Sequence, residues 1–146
     1  MNSKFEIIVN YDDLEMYQNN KNIICQLYIK VGQFIFPDEG WSDFIIVILS
    51  WWIEELYNLK QSKSNKKCEL LFMDGPESIE CEKIDDNTLN LDFIIRDEKV
   101  YSCECEIDDV LESIIKTSNM VLNEVKKRNW KTRDIDNLEE TLNKVM

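Results

Sequence analysis

From Phe44 to Ile53 the chain reads FIIVILSWWI, ten residues without a charge that include two adjacent tryptophans. Asp43 and Glu54 close the run on either side. A segment this apolar can cross a membrane, form the centre of a fold, or present an adhesive surface to a partner. The first reading fails on length. A spanning helix needs about 20 consecutive apolar residues, and a shorter run is more often a buried core helix.

On a helical wheel of about 100° per residue, Asp43, Val47, Ser50, Glu54 and Asn58 fall in one polar stripe roughly a quarter-turn wide. Ile45, Leu49, Trp52 and Leu56 lie opposite. Such a helix is covered on most sides, which predicts a position between a sheet and a second helix, with Trp52 in the core. Trp51 points about 100° away from Trp52, beside Glu55 and Asn58 at the rim of the apolar arc. Two readings stay open for it: packing under a later helix with its indole N–H bonded, or anchoring a partner. Ser42 is placed to cap the helix, with Asp38 and Asp43 favouring the positive end of its dipole. The helix is expected to end near Leu59, before the polar loop QSKSNKK.

The flanking segments alternate with period two. FEIIV, from Phe5 to Val9, reads as a strand. From Ile23 to Val31 the odd residues are apolar and Gln26, Tyr28 and Lys30 face the other way. Gly32 is expected to be a bulge, after which Phe34 to Phe36 continue or bend the strand. After the helix, four strands form a meander: Lys67 to Met73, Glu77 to Ile84, Thr88 to Arg96 and Lys99 to Ile107. They turn at Asp74-Gly75-Pro76, Asp85-Asp86-Asn87 and Asp97-Glu98. Asp109 and Glu112 have capping-box spacing for a second helix. Its inward stripe is Val110, Leu111, Ile114, Ile115, Ser118, Val121, Leu122 and Val125. Thr132 caps a short last helix carrying Ile135, Leu138, Leu142 and Val145. The order ββαββββαα predicts a single α+β domain over residues 1–146, with a largely antiparallel sheet of about six strands and helices on one face.

Charge and composition narrow the function. With 17 basic against 29 acidic residues and a net charge of -12, the chain repels phosphate backbones, so direct nucleic-acid binding is not expected. A basic protein partner is. MNSKFEIIVNYDD holds no apolar leader, and five cysteines, an odd number without a CxxC, suit reduced thiols in a cytosol. A cytoplasmic location is the expectation. Cys103 and Cys105 lie two apart on a strand, but the chain has no histidine. They are read as apolar thiols, and no metal or cofactor is expected.

Alternation in the meander sorts its residues into two faces. Ile79, Cys81, Leu89, Leu91, Phe93, Ile95, Tyr101, Cys103 and Cys105 point one way. Glu69, Glu80, Glu82, Asp92, Glu104 and Glu106 point the other, with Leu71, Met73 and Ile94 among them. A solvated outer face explains most acidic strands. Here like charges on neighbouring strands repel, few basic residues, Arg96 among them, are expected to offset them, and the apolar residues exceed what a wet surface needs. An acidic face with apolar anchors fits a basic partner, steered by charge and held by desolvated contacts. The loop residues Asp38, Glu39 and Asp43, with Trp51, form a second candidate surface.

An enzyme built from this chain must rely on carboxylates, because without histidine no Ser-His or Cys-His arrangement can form. Asp38, Glu39 and Asp43 could pair as acid and base or hold Mg²⁺. The chain holds no P-loop, GxGxxG, GxSxG or metal box.

The size, the charge, the ββαββββαα order and the patch FPDEGWSDF…SWW, from Phe34 to Trp52, resemble the small acidic immunity proteins of bacterial polymorphic toxin and contact-dependent inhibition systems. The resemblance implies a non-enzymatic inhibitor that binds one toxin domain, often a basic nuclease, with no catalytic residues. Phage-encoded inhibitors of host defence proteins share this composition. The other expectations kept beside it are a structural or adaptor protein binding a basic partner, and a carboxylate-dependent enzyme.

Overall fold

β2 (Ile23–Val31) buries every odd residue and half-exposes every even one, so the alternation read from the sequence is the strand's real inner and outer side. The computed structural model describes residues 3–145. Before β2 comes β1 (Phe5–Met16), and after it β3 (Phe34–Phe36), β4 (Ser42–Asp43) and α1 (Ile45–Gln61). The meander is β5 (Lys67–Leu71), β6 (Glu77–Lys83), β7 (Thr88–Ile95) and β8 (Glu98–Glu106), followed by α2 (Ile107–Lys127) and α3 (Arg133–Val145).

The fold is α+β and every strand pairing is antiparallel. The strands divide between two sheets. β1, β2 and β3 lie in that order with β4 also on β2, and β5, β6, β7 and β8 form the second sheet in chain order. The helix α1 lies where expected, against β2, β5, α2 and α3. Its Ile45, Leu49, Trp52 and Leu56 have no exposed surface. Because its apolar arc is so wide, α1 can serve two sheets and two helices at once. An aromatic seam joins the sheets beside it. Phe34 stacks on Tyr101 with centroids 4.2 Å apart, and Phe36 meets Phe93 edge-on at 5.1 Å. Among the described residues no helix is long and apolar enough to cross a membrane.

Several local expectations need correction. Gly32 is not a bulge. It sits at φ +61° in the two-residue turn Gly32-Gln33 joining β2 to β3, a conformation glycine adopts without strain. Ser42 does not cap α1. It pairs with Gln26 in β4, the N-cap position is Phe44, and no side chain bonds there. Asp109 does not open α2, which begins at Ile107 directly out of β8. The last hairpin turns at Arg96 and Asp97, both at positive φ. Thr132 does cap α3, accepting the Ile135 N–H at 3.1 Å.

Candidate functional site

Pairing register turns the acidic alternation of the second sheet into rows. Glu69, Glu80, Asp92 and Ser102 stand side by side across the four strands. Lys67, Glu82, Asn90 and Glu104 form the next row, and Leu71, Ser78, Ile94 and Lys99 lie on the other side. Glu106 faces Thr88 at the end of β8. The opposite face of the sheet buries Leu70, Ile79, Cys81, Leu89, Leu91, Phe93 and Cys105 against the core.

Three carboxylates in one row repel one another. Two lysines that the sequence reading did not count relieve part of this. Lys67 Nζ lies 3.2 Å from Glu80 Oε1, and Lys99 Nζ lies 3.5 Å from Asp92 Oδ2. The Glu80 bond holds the exposed Lys67 ammonium above its usual range. Arg96, the expected counter-charge, sits instead in the β7–β8 turn. Lys67 was legible, being two residues before Glu69 and therefore on its side. Lys99 was not. A bulge in β8 between the pairs Phe93–Tyr101 and Ile94–Lys99 makes Val100 the extra residue, and only that irregularity brings Lys99 opposite Ile94.

Asp92 is the most organised charge on this face. Its Oδ1 accepts the Ser102 hydroxyl at 2.7 Å and the Asn90 amide at 2.8 Å, while Oδ2 faces Lys99. Partial burial acts to raise its pKa. The bonds from Ser102 and Asn90, together with Lys99, outweigh that and hold the carboxyl below the usual aspartate range. Glu69, Glu104 and Glu106 are exposed, and Glu80 and Glu82 half-buried, so the face stays strongly negative. At its Leu71 end it is apolar. Leu71 is 46% exposed on β5, Val100 47% on β8, and Ile94 is half-buried on β7.

The structure separates the other candidates from these rows. Met73 lies beyond the end of β5 and borders a hollow of about 270 Å³ with Tyr17, Ile24, Trp41 and Asp43, so it is not one of the apolar residues of the acidic face. Asp43 is 5% exposed and fully engaged. It accepts the Trp41 indole N–H at 2.9 Å, the Phe44 N–H at 2.7 Å and the Met73 N–H at 3.2 Å. It fastens the loop to the end of β5, and its oxygens are not free to meet a partner. Asp38 and Glu39 are exposed, and Asp38 also turns its own loop by accepting the Gly40 N–H at 2.8 Å. Trp51 is 38% exposed on the wall of a groove of about 260 Å³ between α1 and α3. The groove is polar, lined by Glu54, Asp134, Asn137 and Glu140 among others. It forms a surface of its own between two helices.

The five thiols divide by depth. Cys25, Cys81 and Cys105 are buried, and Cys68 and Cys103 half-buried. Burial first, then the Asp13 carboxylate, pushes the Cys25 thiol up to about 12, so it stays protonated and donates to the Asn10 carbonyl at 3.2 Å. Among the described residues no three Cys, Asp or Glu side chains converge as a metal site. Comparison of the chain with protein-family models, with curated proteins and with solved structures finds no match.

Proposed function

We propose that this chain is a non-enzymatic binding protein of the immunity type, which holds a basic protein, such as a nuclease toxin domain, on the outer face of the β5–β8 sheet and inhibits it. One observation carries the reading. The acidic rows keep six carboxylates against two lysines, and the same face carries exposed Leu71 on β5 and Val100 on β8 with half-buried Ile94 on β7. The rows supply long-range attraction and orientation. The apolar residues supply contacts that gain from losing water. Asp92, fixed by Ser102 and Asn90, offers a charge whose geometry is set before the partner arrives.

An adaptor role would use the same surface, and loss of the partner's activity on binding separates inhibition from adaptation. The test begins with affinity capture from the native cell and continues with association kinetics on the captured protein. Glu80→Lys with Glu104→Lys is expected to slow association about tenfold or more, as is raising salt from about 0.1 M to about 1 M, where the Debye length falls from about 10 Å to about 3 Å. Ile94→Ala is expected to speed dissociation instead. A partner whose association ignores both salt and the double reversal does not bind this face.

A further inference from the structure

Four of the five cysteines lie on the inner face of the β5–β8 sheet. Cys68 of β5, Cys81 of β6, Leu91 of β7 and Cys103 of β8 stand in one row across the strands, and Cys105 stands opposite Leu89 in a neighbouring row. Depth differs along the row. Cys81 is buried, while Cys68 is half-buried on an outermost strand with one neighbour in the sheet.

A disulfide joins Cα atoms about 4.4–6.8 Å apart, most often about 5.5–6 Å. Cys81 and Cys103 have β7 between them, which at about 4.8 Å per strand sets them about 9–10 Å apart. Cys103 and Cys105 are neighbours along one face of a single strand, about 6.6–6.8 Å apart, at the limit of that span. Cys25 belongs to the other sheet and donates its thiol to the Asn10 carbonyl at 3.2 Å. Cys68 and Cys81 are directly opposite one another. Just beyond them the Lys83 N–H bonds the Lys66 carbonyl at 2.9 Å. Bonded pairs recur at every second position of an antiparallel ladder, so Cys68 and Cys81 are a bonded pair too, with Cα atoms about 5.5 Å apart. Their thiols share a face as direct cross-strand neighbours. The Cys68 thiol first, and then burial, hold the Cys81 thiol well above its usual range, so Cys81 stays protonated in the reduced chain.

We propose that Cys68 and Cys81 form a site of reversible oxidation by small disulfides, such as glutathione disulfide, and that the bridge between them locks the edge strand β5 onto the sheet. Cys68 reacts first, because an oxidant can reach it. Its thiolate attacks one sulfur of the small disulfide, which leaves a mixed disulfide and releases one thiolate. Cys81 then loses its proton, and its sulfur displaces the second small thiolate from Cys68. The protons of the two cysteines end on the two released thiols. One protein disulfide forms and one small disulfide is reduced, so atoms and electrons balance. The lock closes the loop of residues 69–80, which contains Leu71, the residue whose carbonyl receives the Trp52 indole N–H. Glu69 and Leu71 are the outward-facing residues of this edge, so oxidation stiffens one border of the acidic face without changing its charge. The site is independent of what binds that face.

Peptide mapping by mass spectrometry, without reductant, tests this on the folded full chain after treatment with glutathione disulfide. A peptide containing Cys68 is expected to be joined to one containing Cys81, and excess reduced glutathione is expected to separate them. Cys81→Ser is expected to stop the reaction at the Cys68 mixed disulfide. If that buried substitution fails to fold, Cys68→Ser at the half-buried position decides, and is expected to abolish the bridge. Cys103→Ser with Cys105→Ser is expected to leave it intact. Amide hydrogen exchange in β5 is expected to slow about tenfold or more on oxidation, with β8 unchanged. A wild type that accumulates only mixed disulfides overturns the proposal. So does a Cys103–Cys105 bridge in place of this one, or a Cys68–Cys81 bridge that leaves exchange in β5 as it was.

Discussion

Trp52 has no exposed surface and donates its indole N–H to the Leu71 carbonyl at 2.8 Å, while its neighbour Trp51 is 38% exposed. Trp52→Ala empties a large core site and strands that carbonyl, so denaturant melts should show a loss of roughly 3–5 kcal/mol. Trp51→Ala should cost about 1 kcal/mol or less. The difference was legible because successive helix residues are rotated by about 100°, which decides burial without knowledge of the partners. Asp43 was not legible. Two of its donors are local, but the third, Met73, lies 30 positions away, and only the folded chain brings them together. Asp43→Asn sets an amide N–H against the Trp41 N–H and should cost about 1–3 kcal/mol. Burial holds the Asp43 carboxyl above its ordinary range, against the bonds from Trp41, Phe44 and Met73. The folded chain therefore binds this proton at a higher pH than the unfolded chain, where the pKa is about 3.9. The Asp43 contribution is full below that value and declines as pH rises through the folded one. Melts of wild type and Asp43→Asn between about pH 3 and about pH 7 should show the wild-type advantage shrinking as pH rises.

At the scale of elements, α1 owes its end to a residue from another strand. Lys83 is 4% exposed, and its ammonium donates to the carbonyls of Lys60 and Ser62 at the end of α1. A cation there meets the negative end of the helix dipole and carbonyls with no partner in the helix. Lys83→Met should destabilise the protein by about 1.5–3 kcal/mol, and hydrogen exchange should quicken in the last turn of α1 before elsewhere. Nothing near Leu59 in the sequence announces this, since the capping group belongs to β6. The strands show the same division. Each one's alternation is a local property and placed β2 and the meander within a residue or two. Division into two sheets depends on which strands pair, a property that no single strand's alternation carries. The bulge at Val100 escaped for a related reason, as no glycine marks it.

The whole molecule carries its charge unevenly, and the acidic rows have a core of fixed partners beneath them. Glu80→Lys with Glu104→Lys should leave the melting free energy within about 1 kcal/mol of wild type, because exposed ion pairs contribute little. A larger loss would mean that the Lys67–Glu80 bond organises the sheet as well as its charge. The long bonds between β1 and α2 have a consequence for how the chain is made. The meander pairs neighbours in sequence and can assemble as it is synthesised. By contrast, Ser113 reaches Phe5 across 108 positions and Arg128 reaches Tyr11 across 117. Until α2 has left the ribosome, the inner side of β1 has nothing to cover it. Newly made chains on neighbouring ribosomes therefore display the same bare strand at the same time, and the interval between synthesis of β1 and of α2 is when mispairing between them is most favoured.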